Sequence, residues 1–195
     1  MYPELEDYTD LFVDIYTELG FNVSLIPAPS VRGLILLNDG VVDADAVRLN
    51  YVAKEYPNVI VVQPELNQVD LTLLCVKGVP CTREILADEN ISVMAIDSAI
   101  SLLKPGEFKA HQANSGAISN VPKMLKAHRY LYALFALDEA MKKQFITDFQ
   151  LVKLRSMSLN HVIHKKHLDL LPQIEKKLRD KLPEFRLARA KQTTP

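Results

Sequence analysis

The sequence predicts an α/β protein, with mixed, mostly parallel sheets flanked by helices. Three observations carry that expectation: a strand-helix-strand unit between Ile26 and Arg48, alternation of short β-branched runs with short helices along the rest of the chain, and length. At 195 residues the chain can build one substantial core or two small lobes.

Asp7 to Leu19 has the pattern of an amphipathic helix, with Thr9 or Asp10 as cap and Gly20 as stop; Leu11, Phe12, Ile15, Tyr16 and Leu19 share one face. Asn22 to Pro27 is apolar enough for a strand, and Pro27-Ala28-Pro29 ends it because proline lacks an N–H and restricts the residue before it. Ser30 can cap the next helix, which carries Val31, Leu34, Ile35 and Leu37 on an apolar stripe. Asn38-Asp39-Gly40 closes it, since glycine enters the left-handed conformation without steric cost. Val41 to Leu49 follows as a strand, Asn50 to Tyr56 as a short helix, Asn58 to Gln63 as a strand broken by Pro64, and Asp70 to Val76 as another strand.

The middle of the chain is less regular. The expected elements are a helix over Cys81 to Asp88, a buried strand over Ile91 to Ile96, a helix over Ser98 to Leu103 with Ser98 as cap, and a strand over Phe108 to Gln112. Next come a helix over Ser119 to Ala127 with Pro122 in its first turn, a strand over Tyr130 to Leu137, and a helix over Asp138 to Thr147 capped by Asp138. Phe149 to Arg155 and Leu159 to Ile163 read as two strands. From Leu168 onward, Leu171, Ile174, Leu178 and Leu182 recur at helical steps, with Pro172 tolerated in the first turn.

Composition is that of an ordinary globular protein, 48% hydrophobic and 24% charged, with a net charge of −1 that argues against a general nucleic-acid binder. The charge is unevenly spread. Residues 1–70 hold 12 acidic and 3 basic side chains, a balance of −9, while residues 151–195 hold 11 basic and 4 acidic, a balance of +7. The simplest consequence is that the two ends pack together and neutralise. No apolar run approaches the ~18 residues of a membrane span, so no direct membrane insertion is expected. Cys75 and Cys81 flank Lys77-Gly78-Val79-Pro80; a small-loop disulfide and two buried thiols both fit that spacing.

The chemistry concentrates on two arginines. In a parallel βαβ unit, ligands bind beyond the carboxyl ends of the strands. Arg32, in the first helical turn after one such end, and Arg48, near the next, would together suit a carboxylate or another anion. Alternatively both are solvated or paired with Asp39, Asp43 or Asp45. His161, His164 and His167 are spaced as H-x-x-H-x-x-H, but a strand-to-helix change between Ile163 and Leu168 would scatter them, so no metal site is expected. Ser115-Gly116 marks either a ligand loop or a turn. There is no glycine-rich phosphate loop, no paired C-x-x-C and no G-x-S-x-G, and no cofactor is expected.

The run from Thr9 to Glu65 resembles the first lobe of extracellular solute-binding proteins of family 3, the type II periplasmic binding proteins of amino-acid ABC transporters. The matching features are the helix ending in Leu19-Gly20, Ile26 to Arg32, Asn38-Asp39-Gly40, Val42-Asp43-Ala44-Asp45 with Arg48 behind it, and Tyr56 to Val61. Leu159 to Leu178 resembles the family's return strand and closing helix. The resemblance implies two lobes, the first from residues 1–66 plus 158–195 and the smaller second from 67–157. It also implies hinges near Glu65 to Asp70 and Met157 to Asn160, and closure over a small polar or anionic ligand, amino-acid-like or an organic acid. An ABC transporter's membrane subunits or a sensor would read the closed form, and the location would be periplasmic, after removal of an export signal that this chain does not show; a cytoplasmic location stays open.

The candidate ligand-binding residues are Arg32, Arg48, Asp45, Tyr8 and Asp138. The family's usual strand ahead of the first helix has only Met1 to Glu6 in its place, so Tyr2 and Tyr8 either stack on a ligand or simply pack. In the second lobe, where amino-acid binders of the family place an acid, Leu131 and Ala136 occupy the expected positions and Asp138 is the nearest acid. Two rival readings are an enzyme on the same fold, for which no nucleophile-base pair is visible, and a degenerate member acting as a protein-interaction module.

Overall fold

The structure is a computed structural model describing residues 6–114 and 120–192, and among these the side chains of residues 6, 30, 97, 98 and 190–192 are left aside. The chain divides into two compact units, Met1–Asn67 with Ser158–Pro195, and Gln68–Met157.

The first unit contains helix α1 (Glu6–Glu18), α2 (Ser30–Asn38), strand β1 (Ala44–Leu49), the short α3 (Val52–Glu55) and β2 (Val59–Val61). After the second unit the chain returns through the second half of β7 (Phe149–His164), a 3-10 turn at Lys165–His167, and α7 (Leu171–Gln192). Strands β1 and β2 both lie antiparallel to β7, one on each side, with Ala44 and Ile60 both opposite Ile163. They therefore run parallel to each other with the return strand between them. The expected strand from Asn22 to Pro27 does not form: residues 21–29 have no regular secondary structure and belong to no ladder. Its composition suited a strand, yet among the described residues no strand pairs with it, and Pro27 and Pro29 cannot donate.

Helices cover both faces of this sheet. Val162 and Ile163 are adjacent on β7 and so point to opposite faces. Ile163 joins Phe12 and Ile15 of α1 and Ile174 and Leu178 of α7, whereas Val162 joins Leu34 and Leu37 of α2 with Val52 and Val59. The opposite charges of the chain ends meet where α1 packs on α7. Lys177 reaches Glu18 at 2.8 Å, Lys181 reaches both Asp14 and Glu18 at 2.6 Å, and Arg189 reaches Asp7 at 3.2 Å. Glu18, held by hydrogen bonds from Lys177 and Lys181, has its carboxyl lowered to about 2. At the end of α2, Gly40 adopts φ +72° as expected, while the position before the first helical residue is taken by Pro29, not by Ser30, and makes no side-chain cap bond.

In the second unit the strand order is β7-β3-β6-β4-β5, with β3 (Asn67–Val76), β4 (Ser92–Ala95), β5 (His111–Ala113) and β6 (Tyr132–Leu137). Strand β6 pairs antiparallel with β3 and parallel with β4, and β4 is parallel to β5. The helix expected over Cys81 to Asp88 is a 3-10 segment at Arg83–Ala87, and α4 is only Asp97–Ile100. Helix α5 (Val121–Lys126) carries Pro122 in its first turn, and α6 (Glu139–Phe145) is capped by Asp138, whose carboxylate accepts the Met141 N–H at 2.9 Å. Phe149 to Ile163 is one continuous strand, not the two expected. Cys75 and Cys81 form a disulfide. Asp70, 7% exposed, receives Lys142 Nζ and the Ser156 hydroxyl at 2.6 Å each. The Ser115-Gly116 segment and Tyr2 lie outside the described residues, as does the cap side chain expected at Ser98.

Candidate functional site

The first unit contains a cavity of about 640 Å³. Its lining includes Phe21 to Ala28, Val41 to Arg48, Phe12 and Tyr16 of α1, Ile174 of α7, and Gly33 and Leu36 of α2.

Arg48 and Asp45 stand on its wall as an ion pair three residues apart. Arg48 Nε and a terminal nitrogen both donate to one Asp45 oxygen, at 2.8 and 2.5 Å. A register shift in the β1–β7 ladder between Asp45 and Arg48 accompanies this pairing. On a regular strand, residues three apart face opposite sides, so the bulge is what allows the two side chains to meet. Gly33 completes the arrangement: a Cβ there would come within 2.8 Å of Arg48 Nη2 and 3.5 Å of Asp45 Oδ2, so a side chain at this position would make the Arg48 guanidinium shift.

His161, on the same cavity, is 1% exposed. Its ring stacks on Phe12 at 3.7 Å between centroids, and Tyr16 OH lies 2.8 Å from Nε2. Nδ1 faces the Ala46 carbonyl at 3.4 Å. A carbonyl can only accept, so the consistent tautomer carries its proton on Nδ1 and accepts from Tyr16 at Nε2. Burial drives the imidazole down to about 3, against the smaller opposing effect of its backbone carbonyl partners, and it is neutral at ordinary pH. Burial also raises the Tyr16 hydroxyl, with Asp43 adding to the effect. Farther along, the Asp43 carboxylate accepts from Lys166 Nζ and His167 Nε2 at 2.8 Å each, and these partners hold it below the usual carboxylate range.

The residues singled out from sequence fall in different places. Arg48 and Asp45 are on the cavity wall and paired with each other. Arg32 is exposed on α2 and is not part of that wall. The expected gathering of both guanidiniums by consecutive parallel strands thus fails at its first member, because residues 22–27 are not a strand. Tyr8 is 2% exposed, packed on Phe185 at 5.2 Å with the Arg189 guanidinium 4.4 Å above its ring, and is a core residue outside the cavity. Asp138 belongs to the second unit and serves as the cap of α6. The three histidines have separate environments, His164 accepting the Lys166 N–H at 3.1 Å; among the described residues no group of His, Cys, Asp or Glu is clustered for a metal ion. Gly33, Tyr16 and His161 were not singled out as site residues. Gly33 beside Arg32 carried a weak hint, an interior helical glycine, whereas the Tyr16–His161 contact spans 145 positions and has no local signature.

No protein-family model and no curated protein matches this sequence. Solved structures do. An ancestral amino-acid-binding protein, a precursor of cyclohexadienyl dehydratase, aligns with TM-score 0.68 at 16% identity over 92% of this chain and 82% of its own. The chain has the type II periplasmic-binding-protein fold. A binding component of an ABC transporter from Wolinella succinogenes, complexed with lysine, shares this fold at TM-score 0.68 and 16% identity, over 92% of this chain and 83% of its own. The GluR0 ligand-binding core with L-glutamate does so at TM-score 0.66 and 10% identity, over 94% and 86%. At these identities the periplasmic-binding-protein fold is what is shared. Among the described residues no helix is long and apolar enough to cross a membrane.

Proposed function

We propose that the protein is a periplasmic solute-binding protein for a small amino-acid-like or organic-acid ligand, delivering it to an ABC transporter or a sensor, and not an enzyme. The observation that carries this reading is the half-buried Arg48–Asp45 pair on a cavity wall of a fold whose solved members hold lysine and glutamate. A zwitterion brings a carboxylate for Arg48 and an ammonium for Asp45, and a partly desolvated site strengthens both contacts. Gly33 supports the reading, since a side chain there would make the guanidinium shift.

The test is a thermal-shift screen with amino acids, organic acids and polyamines. A ligand at a hundred times its Kd stabilises the folded protein by about 2.7 kcal/mol, which for a chain of this size raises Tm by roughly 5–10 °C. Arg48→Ala is expected to abolish that shift. A shift of the same size in Arg48→Ala would remove the pair from the site, and no shift with any class would remove the function.

A further inference from the structure

Every residue lining the cavity belongs to the first unit, and the charges on its wall are matched among themselves. Asp45 holds Arg48, and Asp43 accepts from His167 on the wall and from Lys166 beside it. His161 and Tyr16 bond to each other, and the buried imidazole adds no charge at ordinary pH. Most of the remaining lining is apolar. Phe21, Leu25, Ile26 and Val41, all on this wall, are each between 43% and 67% exposed. Apolar surface gathered in a concave site is what a ligand's apolar part covers, and a volume of about 640 Å³ is that of a small-molecule pocket.

We propose that the ligand is an α-amino acid with an uncharged, apolar side chain, whose ammonium and carboxylate meet Asp45 and Arg48 and whose side chain covers the wall of Phe21, Leu25, Ile26 and Val41. This inference rests on the solute-binding reading above and narrows it to one ligand class.

The wall selects against the other classes. A charged side chain needs a third charged partner in a partly desolvated site, and Asp43, the other carboxylate on the wall, is committed to Lys166 and His167. A carboxylate without an ammonium would share the Arg48 guanidinium with Asp45, placing two like charges on one cation. A zwitterion adds no net charge and offers each member of the pair its opposite. Beyond that head group the ligand meets apolar side chains, so affinity grows with the apolar area it buries.

The experiment is isothermal titration calorimetry on the purified protein with 2-aminobutyrate, norvaline and norleucine, a series that lengthens by one methylene at a time. Lysine is norleucine with a terminal ammonium, hexanoate is norleucine without its α-ammonium, and glutamate supplies an anionic side chain. Affinity is expected to rise about fourfold with each methylene, and lysine, glutamate and hexanoate are expected to bind at least about tenfold more weakly than norleucine. The Leu25→Ser/Ile26→Ser variant changes two side chains that are more than half exposed, so its fold is expected to persist by circular dichroism while norleucine affinity falls about tenfold. Val41→Ser gives an independent reading of the same wall. Equal affinity along the series, binding of lysine, glutamate or hexanoate as tight as that of norleucine, or unchanged norleucine affinity in the folded wall variants would each overturn the ligand class while leaving solute binding in place. Silence of every one of these probes overturns this inference alone if the thermal-shift screen finds another ligand, and the solute-binding reading with it if that screen is silent too.

Discussion

Protonation of His161 ought to set the acid stability of the first unit. The ring is neutral because burial lowers its pKa from 6.5 to about 3, and it is wedged among Phe12, Tyr16 and the Ala46 carbonyl with no carboxylate against it. A histidine depressed in the folded state contributes stability that is complete above its unfolded pKa and is lost as pH falls toward the folded value. The window is therefore between about pH 6.5 and pH 3. At pH 5.0 the unfolded ring is almost fully protonated and the folded ring almost fully neutral, a difference of 1.5 log units or about 2 kcal/mol of stability relative to pH 7.5. With a urea m-value near 2 kcal/mol/M, this moves the unfolding midpoint by about 1 M. The assay is urea unfolding by circular dichroism at the two pH values for the protein and for His161→Gln, which cannot titrate. Every other group contributes to both proteins and cancels, so the midpoint change is expected to be about 1 M smaller in the variant. Equal pH dependence in the two would refute the assignment of a neutral, buried imidazole.

Tyr16→Phe leaves the His161 Nε2 acceptor without its donor, and is expected to cost about 1–3 kcal/mol in the same assay at pH 7.5. Lys142→Met takes one charged donor from the mostly buried Asp70, with an expected loss of about 2 kcal/mol, partly recovered in the Asp70→Asn/Lys142→Met double variant. Reducing the Cys75–Cys81 bridge opens a loop of separation 6, whose closure entropy corresponds to about 2 kcal/mol; unfolding with and without reductant measures it. Gly33→Ala places a methyl group against Arg48 Nη2, so it is expected to weaken any ligand response in the thermal-shift screen while Leu37→Ala, on the same helix but in the core and off the cavity wall, weakens stability more than response.

Local rules made much of this chain legible. The stripe of α1, the left-handed Gly40 that ends α2, the Asp138 cap of α6 and the Pro122 start of α5 each depend on residues within one or two turns of one another, and each is found as the pattern implies. The fold class followed from the order of such elements. Of the two treatments open for Arg48, anion contact or pairing with a nearby aspartate, the structure shows the pairing with Asp45, which a bulge makes possible. Residues 22–27 lie beyond the reach of such rules: their β-branched, apolar composition states a preference for an extended backbone, but a strand also needs a neighbour to bond with, and they join no ladder among the described residues.

What the amino-acid sequence determined by itself was the set of local elements and their order, because caps, turn glycines and hydrophobic periodicity act over a few residues. What only the tertiary structure decided was which edges and side chains meet. The neutrality of His161 comes from Tyr16 and Phe12 on a helix some 145 positions away. At Gly33 a Cβ would meet the end of the Arg48 side chain, and the meeting of Asp45 with Arg48 depends on a register shift against the distant strand β7. These are consequences of packing distant parts of the chain against one another, and no short-range pattern of residues encodes them.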